Sequence, residues 1–180
     1  MSTKLIILDR DGVINYDSDQ YIKSPEEWKP IPGSLEAIAR LTQWNWRVVI
    51  ATNQSGLAQG LFDMLTLTEI HEKMIQAVAN AGGRIDAIFY CPHTNANNCN
   101  CRKPKPGMLL EIASRFGMEL KNVPAVGDSL RDLQAAISAN AKPILVRTGK
   151  GEKTSKLPDF PAETIVYQNL ATAVNGLLKT

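Results

Sequence analysis

The chain has 180 residues, 44% of them hydrophobic and 21% charged, and its 20 Lys and Arg stand against 18 Asp and Glu for a formal net charge of +2. That composition suits one globular domain spanning residues 1–180 with a substantial core, and it lacks the basic stripe of a nucleic-acid binder. No apolar run approaches the roughly 20 residues of a membrane span, and the first residues show no secretory signal, so a cytoplasmic protein, expected to be a monomer, is the reading.

Residues 4–8, Lys-Leu-Ile-Ile-Leu, form a short apolar run closed by Asp9-Arg10-Asp11-Gly12, the pattern of a buried parallel strand. Pro32-Gly33-Ser34 opens a helix with Leu35, Ile38, Ala39 and Leu41 at helical spacing. Residues 46–51 read as a second strand, ending in Thr52-Asn53-Gln54-Ser55-Gly56. Thr66-Leu67-Thr68-Glu69 matches a capping box, and the helix it starts carries Ile70, Met74, Ile75 and Val78 on one stripe until Gly82-Gly83. Residues 85–90 are a third strand, followed by a polar cysteine-bearing segment and a helix from Pro106-Gly107 to Gly117. Residues 123–126 are a fourth strand broken by Gly127-Asp128, residues 130–139 a helix, and residues 143–146 a fifth strand. A loop over 149–161, a short strand over 164–167 and a helix over 170–178 complete the chain.

Strands alternating with helices predict an α/β fold, a doubly wound parallel sheet without a separate cap domain. In such sheets ligands bind beyond the carboxyl ends of the strands, where the strand order reverses. The polar clusters follow strands in that way: Asp9 and Asp11 after the first, Thr52 to Gln54 after the second, Asp128 after the fourth. Asp9 and Asp11, two residues apart in extended backbone, point into one site, while Arg10 points elsewhere. Converging carboxylates call for a hard cation, and oxygen ligands suit Mg²⁺. Beside it Asp9 is a candidate nucleophile and Asp11 a candidate acid–base partner, with Asp128 completing the metal site. Thr52 and Lys103 offer a hydroxyl and a cation for phosphoryl oxygens. Each has a plainer reading: Asp128 and Thr52 as caps, Lys103 as a surface charge, Asp132 as a first-turn residue.

Cys91-x-His93-x5-Cys99-x-Cys101 supplies three thiolates and an imidazole, a complete tetrahedral set for structural Zn²⁺ that leaves no position for substrate. The loop ends at Arg102-Lys103, so a metal there would hold those cations over the site. His71, on a helix, reads as a surface residue.

The set Asp9-Arg10-Asp11-Gly12, Thr52, Lys103 and Gly127-Asp128 with Asp132 resembles the haloacid dehalogenase superfamily of phosphohydrolases, over roughly residues 6–147. The resemblance implies that Asp9 attacks phosphorus to form an aspartyl-phosphate, that Asp11 protonates the leaving oxygen and then activates water, and that Asp9, Asp128 and the Asp11 carbonyl bind Mg²⁺. Within the superfamily's zinc-loop branch, Thr52-Asn53-Gln54-Ser55-Gly56-Leu57-Ala58, residues 101–109 and residues 145–150 look more like the heptose-bisphosphate group, whereas the five-residue gap between His93 and Cys99 is as in the histidinol-phosphate group. Ser129 stands where some of the heptose group carry Lys.

A small phosphorylated sugar is thus the expected partner, with Asp17, Tyr21, Asn53, Gln54, Ser55 and Arg102 as candidate contacts. Loops 17–28 and 91–101 would cover the site. Arg102 would take a second phosphate; Asp17 and Asp19 would suit the amine of histidinol phosphate or sugar hydroxyls. A 3′-phosphatase acting on nucleic acid is disfavoured by the near-neutral charge and the 6% aromatic content. An inactive phosphosugar-binding module is disfavoured by the presence of Asp9, Asp11 and Lys103 together.

Overall fold

Leu5 to Leu8 are all buried, as happens when a strand is covered on both faces. The computed structural model describes residues 4–179. In it β1 (Lys4–Leu8) is central, joined by β2 (Trp46–Asn53), β3 (Ala87–Cys91), β4 (Pro124–Gly127), β5 (Lys142–Val146) and β6 (Ile165–Tyr167). The order is β3-β2-β1-β4-β5-β6 and every neighbouring pair is parallel. The helices are α1 (Ser34–Gln43), α2 (Met64–Asn80), α3 (Gly107–Phe116), α4 (Leu130–Ser138), the single turn α5 (Gly151–Thr154) and α6 (Leu170–Leu178).

Alternate side chains of each strand face opposite ways, which builds two cores. Ile6, Leu8, Val48 and Ile50 pack under α1, α2 and α6; Leu5, Ile7, Val49 and Ala51 pack under α3 and α4. The strand order reverses between β1 and β4, so the crevice for a ligand opens where Asp9 and Asp128 leave the sheet. At the opposite, amino-terminal rim, Asn45, Asn122 and Asn140 adopt left-handed backbone conformations in the turns before β2, β4 and β5.

The strand and helix readings hold, with four local corrections. Helix α2 starts at Met64, because Asp63 and not Thr66 caps it, accepting the Thr66 N–H at 2.8 Å. Ile75 lies off the buried stripe and is exposed. β3 begins at Ala87, because the Asp86 carboxylate takes the Val48 N–H (2.8 Å) and closes the strand from outside. The segment over 149–161 is not all loop: α5 lies within it and its Thr154 Oγ1 donates to the Asp128 carbonyl at 2.9 Å. No described helix is long and apolar enough to cross a membrane.

Candidate active site

Asp9 continues β1 by one residue, its N–H donating to the Val126 carbonyl of β4 at 2.9 Å. Its Oδ1 accepts the Arg10 N–H (2.8 Å) and pairs with Lys103 Nζ (3.1 Å). Among the described residues Oδ2 has no hydrogen-bond partner, so one oxygen of this carboxylate stays free of protein contacts. Lys103 is buried, and its ammonium is held by the Ala51 carbonyl (2.8 Å), Asp9 and Asp132 Oδ1 (2.6 Å). Burial opposes that charge, yet Asp132 and Asp9 raise its pKa above the ordinary lysine value. Asp132 fills both roles open to it: Oδ1 holds Lys103, while Oδ2 accepts the Ser129 N–H (3.0 Å) and Oγ (2.6 Å) at the start of α4.

Asp128 Oδ2 accepts the Lys150 N–H at 2.8 Å. Gly12 and Gly149, both at positive φ, press on this carboxylate, and a Cβ on either would overlap Asp128 Oδ2. Carboxylate oxygens of Asp9, Asp128 and Asp132 lie within 4.8 Å of one another. Three acids against the one ammonium of Lys103 leave two negative charges, which a divalent cation matches. Without such an ion, burial first and the neighbouring acids second push Asp9 up to about 7 and Asp128 up to about 8.

These shifts make a prediction. A carboxyl whose pKa is raised by folding stabilises the metal-free protein most at acid pH, and that stability disappears as pH rises through about 7 for Asp9 and about 8 for Asp128. A divalent cation bound by these acids would replace the protons. Thermal melts should therefore show Mg²⁺ raising Tm by several degrees at about pH 8.5 and by almost nothing at about pH 5.5.

Asp11 also faces the cavity, whereas Arg10 is not among the residues that line it. It is fully buried and turns back on Asp11, Nε to Oδ1 at 3.1 Å and Nη2 to Oδ2 at 3.1 Å. Asn15 Nδ2 (2.9 Å) and Gln54 Nε2 (3.0 Å) donate to the same carboxylate. Gln54 Nε2 also donates to Thr52 Oγ1 at 2.9 Å. Asn53 spends its amide on the Lys103 backbone, accepting its N–H (3.1 Å) and donating to its carbonyl (3.0 Å). His71 is not at the surface: it is buried, with Nε2 3.2 Å from Arg10 Nη1. Burial and the adjacent guanidinium pull its pKa down to about 4. Its spacing from Leu67, Met74 and Val78 on the apolar stripe of α2 was the available signal.

A cavity of about 200 Å³ opens over these groups, bringing Asp17, Tyr21, Ser55 and Arg102 to the same space as Asp9, Asp11, Thr52, Lys103 and Asp128. Arg131 and Lys150 line it too, and the sequence reading gave them no role. Lys150 Nζ pairs with Asp17 (3.1 Å) and Asp19 (3.6 Å). Arg102 donates to Asn95 Oδ1 (2.7 Å) and the His93 carbonyl (3.1 Å). Burial, then the charge of Arg131, pulls the Arg102 guanidinium below its ordinary value.

Beside this cavity Cys91, His93, Cys99 and Cys101 converge. Cys91 Sγ lies 3.6 Å from His93 Nδ1, 3.6 Å from Cys99 Sγ and 3.3 Å from Cys101 Sγ, and Cys101 Sγ is 3.4 Å from His93 Nδ1. All three thiols are free. Ligands around one tetrahedral zinc stand about 3.5 Å apart, so the four atoms already fit that ion. Burial first, with the neighbouring thiols adding to it, pushes Cys91 up to about 12, and a cation among these ligands would favour its thiolate.

Residues 100–173 match the HAD-hydrolase-like family model. Over 176 residues, 98% of each chain, the sequence is 59% identical to the D-glycero-beta-D-manno-heptose-1,7-bisphosphate 7-phosphatase of Bordetella bronchiseptica. The chain belongs to the heptose-1,7-bisphosphate 7-phosphatase family of HAD-like hydrolases. The Pseudomonas aeruginosa member is 50% identical, covering 99% of this chain and 100% of its own. A crystal structure of the B. bronchiseptica enzyme complexed with magnesium and phosphate superposes with a TM-score of 0.97 at 59% identity, covering 98% of this chain and 99% of that one. The Burkholderia thailandensis family member superposes with a TM-score of 0.80 at 46% identity, covering 99% and 100%.

Proposed function

We propose that this phosphatase removes the 7-phosphate of D-glycero-D-manno-heptose 1,7-bisphosphate, the reaction for which its curated relatives are named. One observation favours a bisphosphate over an ester carrying an amine. Asp17 and Asp19 are already paired by Lys150, whereas Arg102 and Arg131 crowd each other with no carboxylate partner among the described residues. Two guanidiniums brought together are relieved by an anion, and a second, non-reacting phosphate is that anion.

In this reading Asp9 Oδ2 attacks phosphorus, the bond from phosphorus to the C7 oxygen breaks, and Asp11 gives its proton to the departing alkoxide. Asp11 then takes a proton from water as that water attacks the aspartyl-phosphate, releasing phosphate and restoring Asp9. Thr52 and Lys103 hold phosphoryl oxygens, and Asn53 fixes Lys103 through its backbone. Mg²⁺, held by Asp9, Asp128 and the Asp11 carbonyl, supplies charge neutralisation for the transferring group when bound. Cys91, His93, Cys99 and Cys101 would hold Zn²⁺, and that ion would fix the loop that carries Arg102. The reading includes a cytoplasmic monomer.

Phosphate release in Mg²⁺ buffer tests the substrate. The heptose bisphosphate should exceed histidinol phosphate by at least about 100-fold in kcat/KM, with heptose 1-phosphate as the product. Faster release from histidinol phosphate would reverse the assignment.

A further inference from the structure

Asp11 sits between two environments. One side lines the cavity; the other is gripped by Arg10, which has no exposed surface. An arginine stiffens a carboxylate only as far as its own guanidinium is fixed. Nε and Nη2 of Arg10 are engaged with Asp11, and Nη1 points the other way, to His71 Nε2 at 3.2 Å. Guanidinium nitrogens only donate, so His71 must accept, with Nε2 unprotonated. His71 is in turn held by α2, between Leu67, Ile70 and Met74 of the buried stripe, with its ring 6.4 Å from that of Tyr90 on β3. A rigid helix is thereby tied to a carboxylate 60 residues away through one buried side chain.

We propose that His71 is a positioning residue of the reaction: as an uncharged hydrogen-bond acceptor on α2 it fixes Arg10, and through Arg10 it fixes the carboxylate of Asp11. The proposal rests on the reading of Asp11 as the acid–base group. Its chemical logic is that proton transfer demands an oxygen placed to within a few tenths of an ångström, and the groups behind a reacting carboxylate set that placement. Asn15 and Gln54 contact Asp11 directly and complete the cage, but neither side chain bonds the Arg10 guanidinium; Asn15 meets Arg10 only through its backbone N–H, which donates to the Arg10 carbonyl at 3.3 Å.

The test is a cycle of variants measured by phosphate release with Mg²⁺. His71→Phe keeps an aromatic ring on α2 but leaves Arg10 Nη1 without its acceptor, whereas His71→Gln keeps an acceptor oxygen. His71→Phe should lower kcat at least about tenfold with KM within about twofold, and His71→Gln should recover to within about threefold of the parent. In an Asp11→Asn background, His71→Phe should cost less than about twofold more, because the group it acts through is gone. A merely structural histidine would lower Tm in both variants and leave the rate ratio the same in both backgrounds. Parental kcat in His71→Phe, equal losses for Phe and Gln, or the same loss with and without Asp11 would overturn the proposal alone. An Asp11→Asn enzyme at full rate would overturn the acid–base reading and the proposal with it.

Discussion

Asp9→Asn is expected to lower kcat by about 10⁴-fold or more while the protein stays folded. The amide oxygen of asparagine is a poor nucleophile, and the aspartyl-phosphate would have no site on which to form. The surroundings should survive, because Lys103 keeps Asp132 at 2.6 Å and the Ala51 carbonyl at 2.8 Å. Stability should move the opposite way to activity. Burial pushes Asp9 up to about 7, so at neutral and alkaline pH its charge opposes folding of the metal-free chain. Removing it should raise the metal-free Tm at about pH 8 and blunt the response to Mg²⁺. Acid quench of the parent enzyme during turnover should trap phosphate on protein, and the variant should trap none. Near-parental turnover in Asp9→Asn would end the covalent mechanism.

The second large effect concerns the cysteine loop. Purified without chelators, the protein should carry about one zinc per chain, and Cys91→Ser should lose it. Cys91 is buried at the end of β3 and lies close to the other three ligand atoms, so it is the most damaging position to change. Residues 92–100 contribute no fully buried side chain, so little apolar surface would hold them once the metal is gone. A loss of about 3 kcal/mol, or about 6–12 °C in Tm for a chain of this size, is expected. Activity should fall with it, because Arg102 reaches back to the His93 carbonyl and Lys103 follows directly. Metal analysis showing no zinc, or an unchanged Tm in Cys91→Ser, would remove the ion from the account.

The sheet was legible because its strands are short apolar runs ending in polar residues, a pattern that depends on neighbours in sequence. β1 and α6 fall on the expected residues. The acids and Lys103 were legible because each follows a strand or the cysteine loop, so one rule about strand ends gathers them. What escaped depends on pairs distant in sequence. Arg10 and His71 are 61 positions apart, and nothing local says that a buried arginine folds back onto its own neighbour. Lys150 and Arg131 were missed for the same reason, since their meaning comes from Asp17 and Arg102 across the cavity mouth. The start of α2 was misplaced because two capping candidates lie three residues apart, and Asp63 won through its bond to Thr66.

The asparagine turns at the amino-terminal rim have a practical consequence. Asn45, Asn122 and Asn140 already occupy left-handed backbone, so glycine is sterically admissible at each. Asp9 and Asp128 leave the sheet at the far end of β1 and β4. Tethers, fluorophores or fused partners grafted at these three corners would sit a full strand length from the chemistry, giving the enzyme a natural handle for immobilisation.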